Sequence, residues 1–108
     1  MATVKPRVRV PRNVKKGDVI EIKTLISHKM ESGRRKGKDG KLIPRKIINR
    51  FECRFDGEMV FAADWYPAIS ANPYMAFNLK AEKSGKLDFK WVDDDGTIYS
   101  TSENLKVA

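Results

Sequence analysis

Apolar side chains recur at every second position along most of this chain, in short stretches punctuated by Gly, Pro or Asp-Gly, and no segment keeps helical spacing over three turns. Only an extended strand sends successive side chains to opposite faces, so this rhythm selects β-structure and gives each strand one face for a core. In "VIEIKTLIS" that face is Ile20, Ile22, Thr24 and Ile26. In "KIINRFECRF" it is Ile47, Phe51, Cys53 and Phe55, backed by Lys46, Arg50, Glu52 and Arg54. "MVFAADW" puts Met59, Phe61 and Trp65 in phase, "YMAFNLKAE" does so for Met75, Phe77, Leu79 and Ala81, and "LDFKWV" for Leu87, Phe89 and Trp91. "RVRV" lies between Pro6 and Pro11, which lack ladder donors and so mark an edge strand, and "TIYSTS" supplies a last strand.

The turns follow from the punctuation. Asp56-Gly57 accommodates the positive φ angles of a tight hairpin, "KSGK" is expected to join the strands on either side of it as a second hairpin, and "DDDG" at 93–96 reads as a solvated turn. About seven short strands at near-regular spacing predict an all-β fold, an immunoglobulin-like β-sandwich of antiparallel strands, with a small closed barrel as the alternative. The antibody Cys–Trp–Cys signature is absent, since Cys53 is the only cysteine. The 108 residues suit a single domain over 1–108, and 26 Leu, Ile, Val and Phe residues suffice for a core.

One connection is far longer than a hairpin loop. Residues 29–46, within "HKMESGRRKGKDGKLIPRK", carry eight basic and two acidic side chains, interrupted by Gly33, Gly37 and Gly40. Such a segment forms either a mobile arm or a β-ribbon turning at "KDGK". It dominates the charge: residues 1–46 sum to +11 and 47–108 to −3, giving the net +8. That asymmetry suits nucleic acid, an anionic surface or an acidic protein, and charge alone does not choose among them.

Catalytic chemistry finds little to work with. A thiol mechanism would have to use Cys53 with His28, but Cys53 alternates in phase with Phe51 and Phe55 and so belongs to the core, where a thiol acts as a small hydrophobe. One His and one Cys are too few for a zinc or iron site, and His28 with Met30 is a weak copper pair read better as an ordinary surface pair. Asp93, Asp94 and Asp95 lack the remainder of a calcium loop. With no nucleophile elbow, phosphate loop or dinucleotide fingerprint, no catalytic, cofactor-binding or metal residue is assigned and no cofactor is expected. The expectation is a binding protein, not an enzyme. Its longest uncharged run, Trp65 to Leu79, contains Pro67, Asn72 and Pro73 and is too short for a membrane span of about 20 residues. The start, "MATVKPRVRV", lacks the apolar core of a secretory signal, so the protein is expected to stay inside or to be exported with another chain.

The stretch "ADWYPAISANPY", residues 63–74, holds one charge in a chain one-third charged. Pro67 and Pro73 exclude a central strand, so it crosses as a loop, either burying Trp65, Ile69 and Tyr74 over the end of the sandwich or offering an aromatic docking patch. Together with "KGDVIEIKTLISHKMESG", "IPRKIINRF" and "FKWVDDDG", it resembles the SoxZ family of the bacterial thiosulfate-oxidising (Sox) system, from about Lys16 to Gly96. The resemblance implies a non-catalytic periplasmic subunit that forms a heterodimer with SoxY, exported with that signal-bearing partner. It also implies transient contacts with other Sox enzymes and, without SoxY, a possible homodimer. In that family SoxY carries the sulfur on a cysteine near its own C-terminus; this chain ends "SENLKVA", and Cys53 inherits no carrier role. On this reading Trp65, Tyr66, Ile69 and Tyr74 supply partner contact, while Arg34, Arg35 and Lys36 attract partners or an anionic sulfur adduct. The rival reading is a basic all-β nucleic-acid-binding module, which rests on charge only because the aromatics sit in phase with core positions.

Overall fold

The computed structural model describes residues 5–66 and 72–108. Among the described residues seven strands form in chain order: β1 (Pro6–Arg9), β2 (Val19–Ile26), β3 (Ile48–Phe55), β4 (Glu58–Asp64), β5 (Tyr74–Lys80), β6 (Gly85–Asp93) and β7 (Ile98–Leu105). They make two sheets, one ordered β1-β2-β5 and the other β4-β3-β6-β7, with every pairing antiparallel. This is the expected immunoglobulin-like sandwich.

Each sheet buries the face that alternation marks. Ile20, Ile22, Thr24 and Ile26 of β2 point inward, as do Leu87, Phe89 and Trp91 of β6 and Phe77 of β5. Thr24 is polar, and its hydroxyl is satisfied by donating to the Met75 carbonyl at 2.8 Å. Phe51 lies at the centre, within 6.5 Å, centroid to centroid, of Phe61, Trp65, Phe77, Phe89 and Trp91. Those rings come from both sheets, so the layers are joined through one side chain. Across the β4/β5 side, Phe61 and Phe77 stack at 4.5 Å and close the gap.

Two bulges change which side chains face inward. The β3–β6 register shifts between Ile48 and Arg50, so Ile48 is buried along with Ile47 while Asn49 is displaced from the alternation. A second shift at Cys53/Arg54 pairs Arg54 with Met59 and leaves Val60 as the extra residue of β4. Met59, expected inward with Phe61 and Trp65, is therefore an exposed side chain beside Val60.

The expected hairpin across "KSGK" does not form. β5 pairs with β2, whereas β6 pairs with β3 and β7, so this connection crosses from one sheet to the other. Both strands have a buried face: β5 lays Phe77 on Phe51 of β3 and Phe61 of β4, while β6 brings Phe89 and Trp91 to Phe51 from within the four-stranded sheet. The start of β6 is docked on the β3–β4 turn, where Lys86 N–H donates to Asp56 Oδ1 at 2.8 Å. The turn itself has Asp56 and Gly57 at φ 49° and 87°, the two-residue geometry that Asp-Gly predicts.

Candidate interaction surfaces

The connection from β2 to β3 is a built β-ribbon. Glu31 and Lys46 exchange both backbone hydrogen bonds at 2.9 and 2.8 Å, Ile43 N–H donates to Arg35 O at 2.8 Å, and Gly37 N–H donates to Lys41 O at 2.9 Å around the turn. The two legs pack closely enough that a Cβ at Gly33, whose φ is +83°, would press on Arg45. A radius of gyration of 16.2 Å, against about 13 Å for a compact domain of this length, requires part of the chain to project beyond the sandwich. Arg34, Arg35 and Lys36, the basic residues predicted to attract partners, are all exposed on the ribbon. Arg35 is paired with Glu31, and its hydrogen bond holds the Glu31 carboxyl below its ordinary range.

Both legs of the ribbon are fixed to the turn after β6. Asp93, fully buried at the end of that strand, accepts three hydrogen bonds on Oδ2: from His28 Nε2 at 2.7 Å, Tyr99 Oη at 3.0 Å and Lys46 Nζ at 3.2 Å. Burial works against the Asp93 charge, but the three donors outweigh it and hold the carboxyl below its ordinary value. His28 Nδ1 accepts from the Met30 backbone N–H at 2.9 Å, so the ring proton is on Nε2 and points at Asp93. Asp94 receives Arg45 Nε at 2.8 Å, a second Arg45 bond at 3.0 Å, Asn49 Nδ2 at 3.0 Å and Ile47 N–H at 3.1 Å.

This cluster corrects two sequence expectations. His28 and Met30 are buried, not a surface pair, and the Met30 sulfur accepts the Ile48 N–H at 3.3 Å. The "DDDG" turn is solvated at Asp94 and Asp95 as expected but buried at Asp93, and Asp93 and Asp94 both act as structural anchors. The imidazole and carboxylate resemble the base and orienting acid of a hydrolytic triad, but Nδ1 is already occupied by Met30, and among the described residues no hydroxyl or thiol nucleophile bonds to the ring.

The neutral stretch divides. Trp65, predicted to supply contact area, is only 4% exposed and stacks on Phe51 with its ring 14° from parallel, so it is core. Its phase with Phe61 and Ala63 carries it inward past the end of β4. Tyr66, at 66% exposure, and Tyr74, at 59%, face solvent. Ile69 lies outside the described residues. Tyr74 is held by pairing with Leu25, which in turn pairs with Arg7, so Arg7, Leu25 and Tyr74 form one row across the outer face of the three-stranded sheet. The segment is tied back through Asn72, at φ 52°, which exchanges hydrogen bonds with the backbone of His28 at 2.7 and 3.0 Å.

Cys53 is fully buried in β3. Loss of hydration, with a lesser contribution from the Asp88 charge, pushes its thiol up to about 12, so it is protonated at neutral pH and inert as a nucleophile. Among the described residues no three His, Cys, Asp or Glu side chains gather as a metal site requires.

Comparison with known proteins bears on these surfaces. No curated protein sequence matches the chain. Among solved structures, a superoxide reductase (neelaredoxin) from Ignicoccus hospitalis superposes with TM-score 0.74 at 21% identity, over 95% of this chain and 80% of that one. The sulfur carrier protein SoxY from Chlorobium limicola f. thiosulfatophilum superposes with TM-score 0.65 at 13% identity, over 94% of this chain and 74% of that one. At those identities the likenesses establish the sandwich fold and no more. Residues 8–104, from the first edge strand almost to the end of the last, match the family described as sulphur oxidation protein SoxZ. The chain belongs to the SoxZ family, and its place is in sulfur oxidation.

Proposed function

We propose that this chain is the non-catalytic subunit of a SoxYZ-type sulfur-carrier complex in thiosulfate oxidation. It binds and supports a SoxY subunit, which carries the sulfur substrate on its own C-terminal cysteine, and helps present that sulfur to the Sox enzymes in the periplasm. The observation that carries the reading is Cys53. In a SoxZ-family chain, a sole thiol that is fully buried and pushed up to about 12 is poorly suited to hold a substrate, which supports a reactive sulfur supplied by a second polypeptide. Tyr66 and Tyr74, with Leu25 beside Tyr74, supply the contact area for that partner, since exposed aromatics give large apolar area at small entropic cost. Arg34, Arg35 and Lys36 steer acidic partners or the anionic sulfur adduct.

Co-expression with SoxY tests this. The Tyr66→Ala/Tyr74→Ala variant is expected to weaken association at least ~10-fold, about 1.4 kcal/mol or more, while Cys53→Ala retains it. Undiminished co-purification of the double variant removes these tyrosines from the interface, and loss of sulfur loading with Cys53→Ala despite intact SoxY binding overturns the non-catalytic reading.

A further inference from the structure

We infer that the ribbon between β2 and β3 is a docking arm for an acidic protein segment that also carries apolar side chains. Three features of the ribbon support this beyond its sign of charge. The first is density: residues 34–45 hold six basic side chains and one acid, and among the described residues Arg34, Lys36, Lys38 and Lys41 make no ion pair. Their attraction is left unspent for an incoming carboxylate. The second is Leu42, which is 59% exposed on the leg opposite Lys36, with Ile43 half-buried next to it. An apolar side chain among cations gains nothing from phosphate but gains a hydrophobic contact, worth about tenfold in affinity, from a leucine-bearing partner. The third is preorganisation. The backbone of the legs is paired, and both legs are tied to Asp93 and Asp94, so little conformational freedom is lost on docking.

The same features disfavour single-stranded nucleic acid. Residues 29–46 contain no aromatic side chain on which a base could stack, and the Tyr and Trp residues lie outside this segment. Residues 47–108 sum to −3, so an acidic segment is drawn to the ribbon in preference to that part of the chain. The inference stands apart from the aromatic surface proposed for SoxY, and it is tested on the isolated chain.

Fluorescence anisotropy with three labelled probes decides it: an acidic peptide of Glu-Glu-Leu repeats, the same peptide with Ser in place of Leu, and oligo-deoxythymidylate. The Leu-bearing peptide is expected to bind tightest, with affinity falling as salt rises from about 50 to about 200 mM. Arg34→Glu/Lys36→Glu should weaken both peptides at least ~10-fold, and Leu42→Ser should weaken only the Leu-bearing one, by about fivefold or more. All three positions are exposed, and an unchanged thermal melt confirms that each variant is folded. Equal peptide affinity in the charge-reversed variant overturns the proposal. So does tighter binding of the oligonucleotide than of either peptide, or a Leu42→Ser effect that is the same for both peptides.

Discussion

Asp94 illustrates how much one side chain organises here. Its carboxylate takes four donors from the incoming leg of the ribbon and the start of β3, and the chief among them, the Arg45 guanidinium, holds its pKa at about 2 against the opposing effect of burial. In the unfolded chain the group protonates near 4, so on acidification the unfolded state takes up the proton first. The stabilisation is complete above about pH 4 and is lost as pH falls towards 2. Arg45 is half-exposed, which reduces the contribution to about 1–2 kcal/mol. Asp94→Asn is therefore expected to lower the free energy of urea unfolding by about that amount at pH 7, with the difference from the parent closing by about pH 2. A deficit that is the same at both pH values would show that shape, not charge, makes Asp94 useful.

At the scale of elements, the ribbon holds its form because Gly33 lets its legs close. A Cβ there would lie 3.0 Å from the Arg45 Cβ and 3.4 Å from its backbone, at a φ of +83° that disfavours any other residue. Gly40, at φ +77°, has open space around it, so alanine there meets only the backbone penalty of about 1–2 kcal/mol. Trypsin under native conditions should cut Gly33→Ala within the ribbon several-fold faster than Gly40→Ala, and equal rates would show that the two legs are not in register contact at Gly33. The ribbon was legible in three spaced glycines within a basic run, which offer a turn and no core. Its anchorage was not, although a signal existed: Asp93 continues the alternation of Leu87, Phe89 and Trp91, so it had to be buried, and a buried carboxylate requires donors. Reading the aspartate cluster as one turn concealed that phase. The single His and the Lys at the other ribbon leg are distant in sequence, and only the fold brings them to it.

For the whole molecule, period-two alternation was enough to give the strands and, except at Met59 where a bulge intervenes, the buried faces, because a strand records its environment in its own side chains. It was not enough to give strand partners. β5 and β6 read as a hairpin since they are consecutive, yet two strands with one apolar face each can pair edge to edge or lie in opposite sheets of a sandwich, and nothing local separates those choices. What selects the second is the centre: Phe51 of β3 takes Phe89 and Trp91 from β6 beside it in its own sheet and Phe77 from β5 in the facing sheet, an arrangement that places β5 and β6 in different sheets. Phe51 should then be worth more than its own buried area. Phe51→Ala opens a cavity touching five rings and is expected to cost about 3–5 kcal/mol, a large share of the 5–15 kcal/mol typical of a domain. Phe51→Leu, which keeps most of the volume, should cost distinctly less. Urea titration of both variants measures this through the midpoint at unchanged slope. A loss below about 1 kcal/mol for the alanine variant would mean that the two sheets are held together by something other than this aromatic centre.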